Sequence, residues 1–145
     1  MPKAFVSTVI NAPLERVWRV VSDFNGLLAW MPGMKGSLIE PGKTAKEIGA
    51  VRKLTMAGTK DVLRERLEVL DPNEFLITYS VLEGPLPVKN IRTSIRLRSI
   101  TDTYGTLGEW SSEFATETGK EEEGVQFMNR VFSAGFRALK KHLGV

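Results

Sequence analysis

Cysteine is missing from these 145 residues, and histidine occurs once, at His142. The first absence excludes a disulfide framework, a thiol nucleophile and a cysteine-ligated zinc or iron–sulfur centre. The second excludes multi-histidine metal sites, so neither metal nor cofactor is expected. It also leaves a Ser-His-Asp triad with no base except one lying among lysines near the end of the sequence. Long apolar runs are lacking too. None approaches the roughly 18 residues of a membrane span, and MPKAFVSTVI has neither the apolar stretch nor the small-residue cleavage site of a secretory signal. A cytoplasmic protein without stable membrane insertion is therefore expected. Excess charge of one sign is scarce, at 20 Lys+Arg against 17 Asp+Glu, which argues against a nucleic-acid partner. There is no phosphate-cradling glycine loop, internal repeat or Pro/Gly/Ser linker.

The length suits a single domain, 1–145, that buries roughly two thirds of its unfolded surface. Ala4 to Ile10 is β-rich and reads as a strand. Asn11-Ala12-Pro13 signals a helix start, with Asn11 as cap, and Leu14, Val17, Trp18 and Val21 follow at helical spacing. Asp23 is expected to cap a second short helix through Phe24, Leu27, Leu28 and Trp30, ended by Pro32-Gly33. Strands are expected over 36–41, 48–57, 60–70, 74–83, 90–101 and 105–116, punctuated by Gly, Pro, Asp and Asn. Glu121 to Leu143 reads as one long helix, acidic at its start and basic at its end, in keeping with the helix dipole. At 1.5 Å per residue that helix is about 34 Å long, similar to the longest strands. The fold class is therefore α+β, with a seven-stranded antiparallel sheet curved around a long C-terminal helix.

Alternation sorts the strand faces. Leu63, Glu65, Leu67 and Val69 oppose Arg64, Arg66 and Glu68. Ile91, Thr93, Ile95 and Leu97 oppose Arg92, Ser94, Arg96 and Arg98. Phe75, Ile77, Tyr79 and Val81 form the inward set of their strand. Glu65 is the anomaly, a carboxylate on the apolar face. A two-residue turn at Gly58-Thr59 would place Leu54 opposite Leu63 and Arg52 opposite Glu65, supplying the partner that a buried charge requires. A three-residue connection at Asp71-Pro72-Asn73 would set Tyr79 beside Glu65. Arg52, Glu65 and Tyr79 then make either a structural ion pair near the sheet's end or the polar groups of a pocket that orient an apolar guest.

The ordered set Ala12-Pro13, Val17-Trp18, Val21-Ser22-Asp23-Phe24, Trp30-Met31-Pro32-Gly33, Gly49-Ala50-Val51-Arg52, Glu65-Arg66-Leu67, Tyr79-Ser80, Gly84-Pro85-Leu86-Pro87-Val88 and Trp110-Ser111 resembles the START-like, helix-grip superfamily. Within it the chain is most similar to the polyketide cyclase/dehydrase branch, and the resemblance spans nearly the whole sequence. It implies a cavity between sheet and long helix that holds a lipid, polyketide or sterol-like molecule. By similarity to plant abscisic-acid receptors, Glu65 would line that cavity and Pro85-Leu86-Pro87-Val88 would form part of its mouth. Tyr79, Val81, Ile91, Thr93 and Glu113 would be wall positions, with Phe127, Val131 and Gly135 on the helix. Leu54 and Leu63 complete the expected lining. The short turn at Ala57-Gly58-Thr59 and the Pro-Leu-Pro segment depart from those receptors, so hormone reception is not implied.

Binding of a small hydrophobic or amphipathic ligand is the leading reading. A second is a cyclase/aromatase or dehydratase, with Glu65 as general acid/base, Tyr79 as proton donor and Arg52 polarising a carbonyl. A third is a non-catalytic partner protein that uses the arginine face. Gly135 in mid-helix implies either close packing or room left for a guest, since glycine there costs about 1 kcal/mol against alanine.

Overall fold

The computed structural model describes residues 1–145. Strand β1 (Lys3–Ile10) leads into helix α1 (Leu14–Val21) and a 3-10 turn over Phe24–Ala29. Six strands follow: β2 (Met34–Ile39), β3 (Val51–Met56), β4 (Val62–Asp71), β5 (Leu76–Glu83), β6 (Lys89–Ser99) and β7 (Thr106–Ala115). Helix α2 (Glu121–Leu143) closes the order, with the bounds expected from the sequence. The strands form one seven-stranded antiparallel sheet in the order β1-β7-β6-β5-β4-β3-β2. The sheet meanders from β2 to β7, and β1 then pairs with β7 from roughly a hundred residues away, Lys3 opposite Glu113.

Alternation produces the layer. Along β6, Ile91, Thr93, Ile95 and Leu97 are buried, and along β7 Thr106, Gly108, Trp110, Ser112 and Phe114 are buried. Met128, Phe132, Phe136 and Leu139 of α2 belong to the same core. The Asn129 side-chain oxygen accepts the Phe5 N–H, tying α2 to the β1 edge.

Four local expectations are corrected. Asn11 does not cap α1. Pro13 occupies the cap position in extended backbone (ψ 148°), and neither it nor Asp23 before the 3-10 turn makes a side-chain cap bond. Residues 48–50 stay outside β3 because Gly49 sits at φ +92°, which breaks the pleat although its N–H still reaches the Leu67 carbonyl at 2.7 Å. Phe75 belongs to the turn rather than to β5. It takes a left-handed φ of 50° and packs edge-on against Trp18 at 5.7 Å.

Candidate functional site

The turn at Gly58-Thr59 sets the β3–β4 register as counted, with Leu54 opposite Leu63 and Arg52 opposite Glu65. Arg52 and Glu65 are both buried, at 3% and 6% exposure. Arg52 Nε donates to Glu65 Oε1 at 2.8 Å, and Nη2 lies 2.7 Å from the same oxygen. Arg52 Nη1 donates to the Phe24 carbonyl at 2.8 Å, which ties the 3-10 turn to the sheet. The guanidinium carbon stands 4.2 Å from the Phe24 ring centre and 4.8 Å from that of Tyr79, so the cation is flanked by two aromatic faces. The charge is thus compensated by an anion, a carbonyl and two rings, as its removal from water requires.

Tyr79 joins this cluster by a different register from the one expected. The β4–β5 connection spans 72–75, and irregular pairing between Leu67 and Val69 shifts the ladder, so Val81 stands opposite Glu65 and Tyr79 opposite Leu67. Tyr79 still faces inward, one diagonal step from Glu65. Burial is the main cause pushing its phenol well above the ordinary tyrosine value; the Glu65 carboxylate adds to the rise and Arg52 opposes it. The phenol is therefore a neutral hydrogen-bond donor at physiological pH. The sign of the linkage follows. Above about pH 10 the unfolded chain releases this proton while the folded chain keeps it, so stability falls as pH rises, by up to about 1.4 kcal/mol per pH unit. Tyr79→Phe is expected to remove that part of the alkaline slope, read as the difference between variant and wild-type urea midpoints at pH 8, 10 and 11.

Beside this cluster lies an apolar cavity of about 70 Å³, 13 of whose 15 lining residues are hydrophobic. Of the residues expected to line it, Leu63, Glu65, Tyr79, Val81, Leu86, Ile91, Thr93, Phe127 and Val131 do so. Four expected residues lie elsewhere. Leu54 is wholly buried in the core, and Val88 packs against Gly124 of α2. Glu113 points to the outer face, exposed and paired with Lys3 at 3.3 Å, because its β7 neighbours Ser112 and Phe114 take the inward positions. Gly135 resolves to close packing, since a Cβ there would stand 2.5 Å from Trp110 Cζ3. Arg52 is not a lining residue either; its three nitrogens are engaged by Glu65 and Phe24.

The wall also includes Leu27, Met31, Met34, Trp110, Met128 and Phe132, which sequence reasoning had not placed there. Three of the chain's five methionines are among them. Unbranched thioethers repack readily, so this wall is deformable. Phe127 also borders an open groove of about 580 Å³ on the surface, lined by Pro87, Lys120, Gln126 and Arg130 among others. An apolar interior and a polar outer groove therefore share one aromatic boundary.

The outer sheet face carries the arginines. Arg64 is held by both oxygens of Glu40 at 2.6 and 2.8 Å, Arg66 by Glu68 at 2.7 Å, Arg98 by Glu109 at 2.8 Å, and Arg96 lies 3.7 Å from Glu74. Hydrogen bonds from their arginines hold the Glu40 and Glu68 carboxyls below the ordinary value. Four of the five arginines thus face carboxylates, and the stripe is a ladder of mixed charge. No cluster of three or more His, Cys, Asp or Glu side chains that could hold a metal ion is present. No helix is long and apolar enough to cross a membrane.

The family model for "Polyketide cyclase / dehydrase and lipid transport" matches residues 1–144. The chain belongs to this family. Solved structures share this sheet-and-helix build. The protein XoxI from Bacillus cereus is 30% identical with a TM-score of 0.85, over 97% of this chain and 94% of that one. A protein from Bacillus thuringiensis is 29% identical with a TM-score of 0.84, over 96% of each chain. A protein from Thermobifida fusca is 26% identical with a TM-score of 0.86, over 99% of this chain and 94% of that one. The helix-grip architecture expected from the sequence is thus the family's own.

Proposed function

We propose that residues 1–145 act as one binding unit for a small hydrophobic or amphipathic molecule, held between the sheet and α2. The observation that carries this reading is the cavity itself, an apolar chamber in which Glu65 and Tyr79 supply the ionisable groups and Phe127 separates the interior from the polar groove. Its 70 Å³ is small beside the roughly 300–1,000 Å³ of preformed small-molecule sites. The guest therefore enters by displacing side chains. Met31, Met34 and Met128 move at low rotamer cost, and Leu86, between two prolines, supplies the mouth. Apolar burial gives the affinity, at about 25 cal/mol per Å². Binding is favoured over turnover because Arg52, the group that would polarise a substrate carbonyl, does not line the cavity and is already engaged by Glu65 and the Phe24 carbonyl.

The test is a fluorescence titration with N-phenyl-1-naphthylamine, a neutral apolar probe that brightens on burial. Wild-type protein should bind one equivalent saturably. Val131→Trp, which fills the chamber from α2, should weaken binding more than about tenfold, a loss of at least about 1.4 kcal/mol, with the far-UV circular dichroism retained. Unchanged probe binding in a folded Val131→Trp variant would place the probe elsewhere and sink the reading.

A further inference from the structure

Trp110 carries a donor that the fold leaves unused. Its side chain is 2% exposed, stacked on Phe132 at 4.9 Å and edge-on to Phe136 at 5.2 Å. Gly135 lies against its six-membered ring, so the indole cannot swing away. Yet no atom accepts the Trp110 Nε1–H, nor that of Trp30, whose ring centre is 6.0 Å away. Buried N–H groups almost always find an acceptor. Trp110 lines the guest cavity together with Glu65 and Tyr79. The indole acts on the Tyr79 phenol closely enough to ease its ionisation slightly, the weakest of four influences there, but falls short of hydrogen-bond geometry.

We propose that Trp110 selects the guest, its indole N–H donating to an uncharged oxygen acceptor, such as a ketone or ester carbonyl, on the guest's buried end. This rests on the binding reading above and narrows it to a chemical class. The Tyr79 hydroxyl supplies a second donor on the same wall. Glu65 works against anions, because it lines the cavity whereas Arg52 does not, so a guest carboxylate would meet a carboxylate in an apolar space. A pure hydrocarbon would leave the indole donor without an acceptor, which is unfavourable in a buried site. The rival partner is an internal water. A neighbouring void of about 10 Å³, bounded by Trp30, Trp110, Tyr79 and Arg52, is near the size that one water needs.

The deciding experiment titrates ¹⁵N-labelled full-length protein with 1-tetralone, tetralin and 1-naphthoate, following the indole N–H signals of the three tryptophans. Trp→Phe variants assign the signals. 1-Tetralone should bind about tenfold more tightly than tetralin and move the Trp110 signal downfield, with 1-naphthoate the weakest of the three. Trp110→Phe should lower the ratio of 1-tetralone to tetralin affinity toward one, whatever the change in wall volume does to the affinity of each alone. Should that variant fail to fold, the wild-type affinity ratio and signal shift decide alone. Equal affinity for ketone and hydrocarbon, or a Trp110 signal that stays fixed because water holds it, overturns the selection role and leaves guest binding standing. No binding of any of the three overturns both.

Discussion

Arg52→Ala is expected to lower the unfolding free energy by about 3–5 kcal/mol, the range for removing one partner of a buried ion pair. The whole stability of a domain this size is roughly 5–15 kcal/mol, so the variant should be marginal at 37 °C. The loss comes from several sources at once. Glu65, 6% exposed, is left buried without its cation. The Phe24 carbonyl loses its donor at 2.8 Å, and the Phe24 and Tyr79 rings close on an empty space. The informative comparison is the double variant Arg52→Met with Glu65→Leu, which removes both charges and keeps the volume. It should recover most of the loss, because replacing a buried pair by apolar groups is often neutral or stabilising. Urea denaturation of the wild type, the single and the double variant checks this. A double variant no more stable than Arg52→Ala would mean that the Phe24 tether, and not the buried charge, carries the energy.

Gly135→Ala should also destabilise, by about 1–3 kcal/mol, the range for forcing an extra methyl into a packed core. The expectation runs against helix propensity, which favours alanine by about 1 kcal/mol. Geometry decides which effect wins. The new methyl would stand 2.5 Å from Trp110 Cζ3 and 2.8 Å from Cη2, with Met31 Sδ at 3.2 Å. The tryptophan ring is rigid and is held by Phe132 and Phe136, so it cannot yield cheaply. Trp110 lines the cavity, so any yielding of the indole should also change probe binding. A thermal midpoint at or above that of the wild type would show that Trp110 has room to move, which would also undercut its role as a fixed donor.

These two sites show how far the residues can be read without coordinates. The Arg52–Glu65 pair was legible by counting, because a tight turn at Gly58-Thr59 sets the register and a lone carboxylate on an apolar face demands a cation. Tyr79 was assigned to the right face but the wrong partner. The cause is a left-handed Phe75 and irregular pairing at Leu67–Val69, neither of which leaves a mark in alternation. Glu113 shows the opposite error. Period-two alternation through Trp110, Ser112 and Phe114 puts it outside, whereas the resemblance to the abscisic-acid receptors implied a wall position. Met31 and Met34 were out of reach for a different reason. They follow the 3-10 turn in a stretch without periodicity, and only tertiary packing brings them to the cavity. The concentration of methionine among the wall residues is the signal that could have raised them.

The pairing of β1 with β7 has a kinetic consequence. Because Lys3 lies opposite Glu113, this contact has a very long sequence separation, and the entropy of closing that loop is spent before any hydrogen bond forms. Strands β2 to β7 can assemble as successive hairpins, whereas β1 must wait for the last strand to leave the ribosome. Until then Ala4 and Ile10, wholly buried in the finished protein, stay in contact with water or with a chaperone. Refolding should accordingly show β1 amides protected late, after the meander has formed.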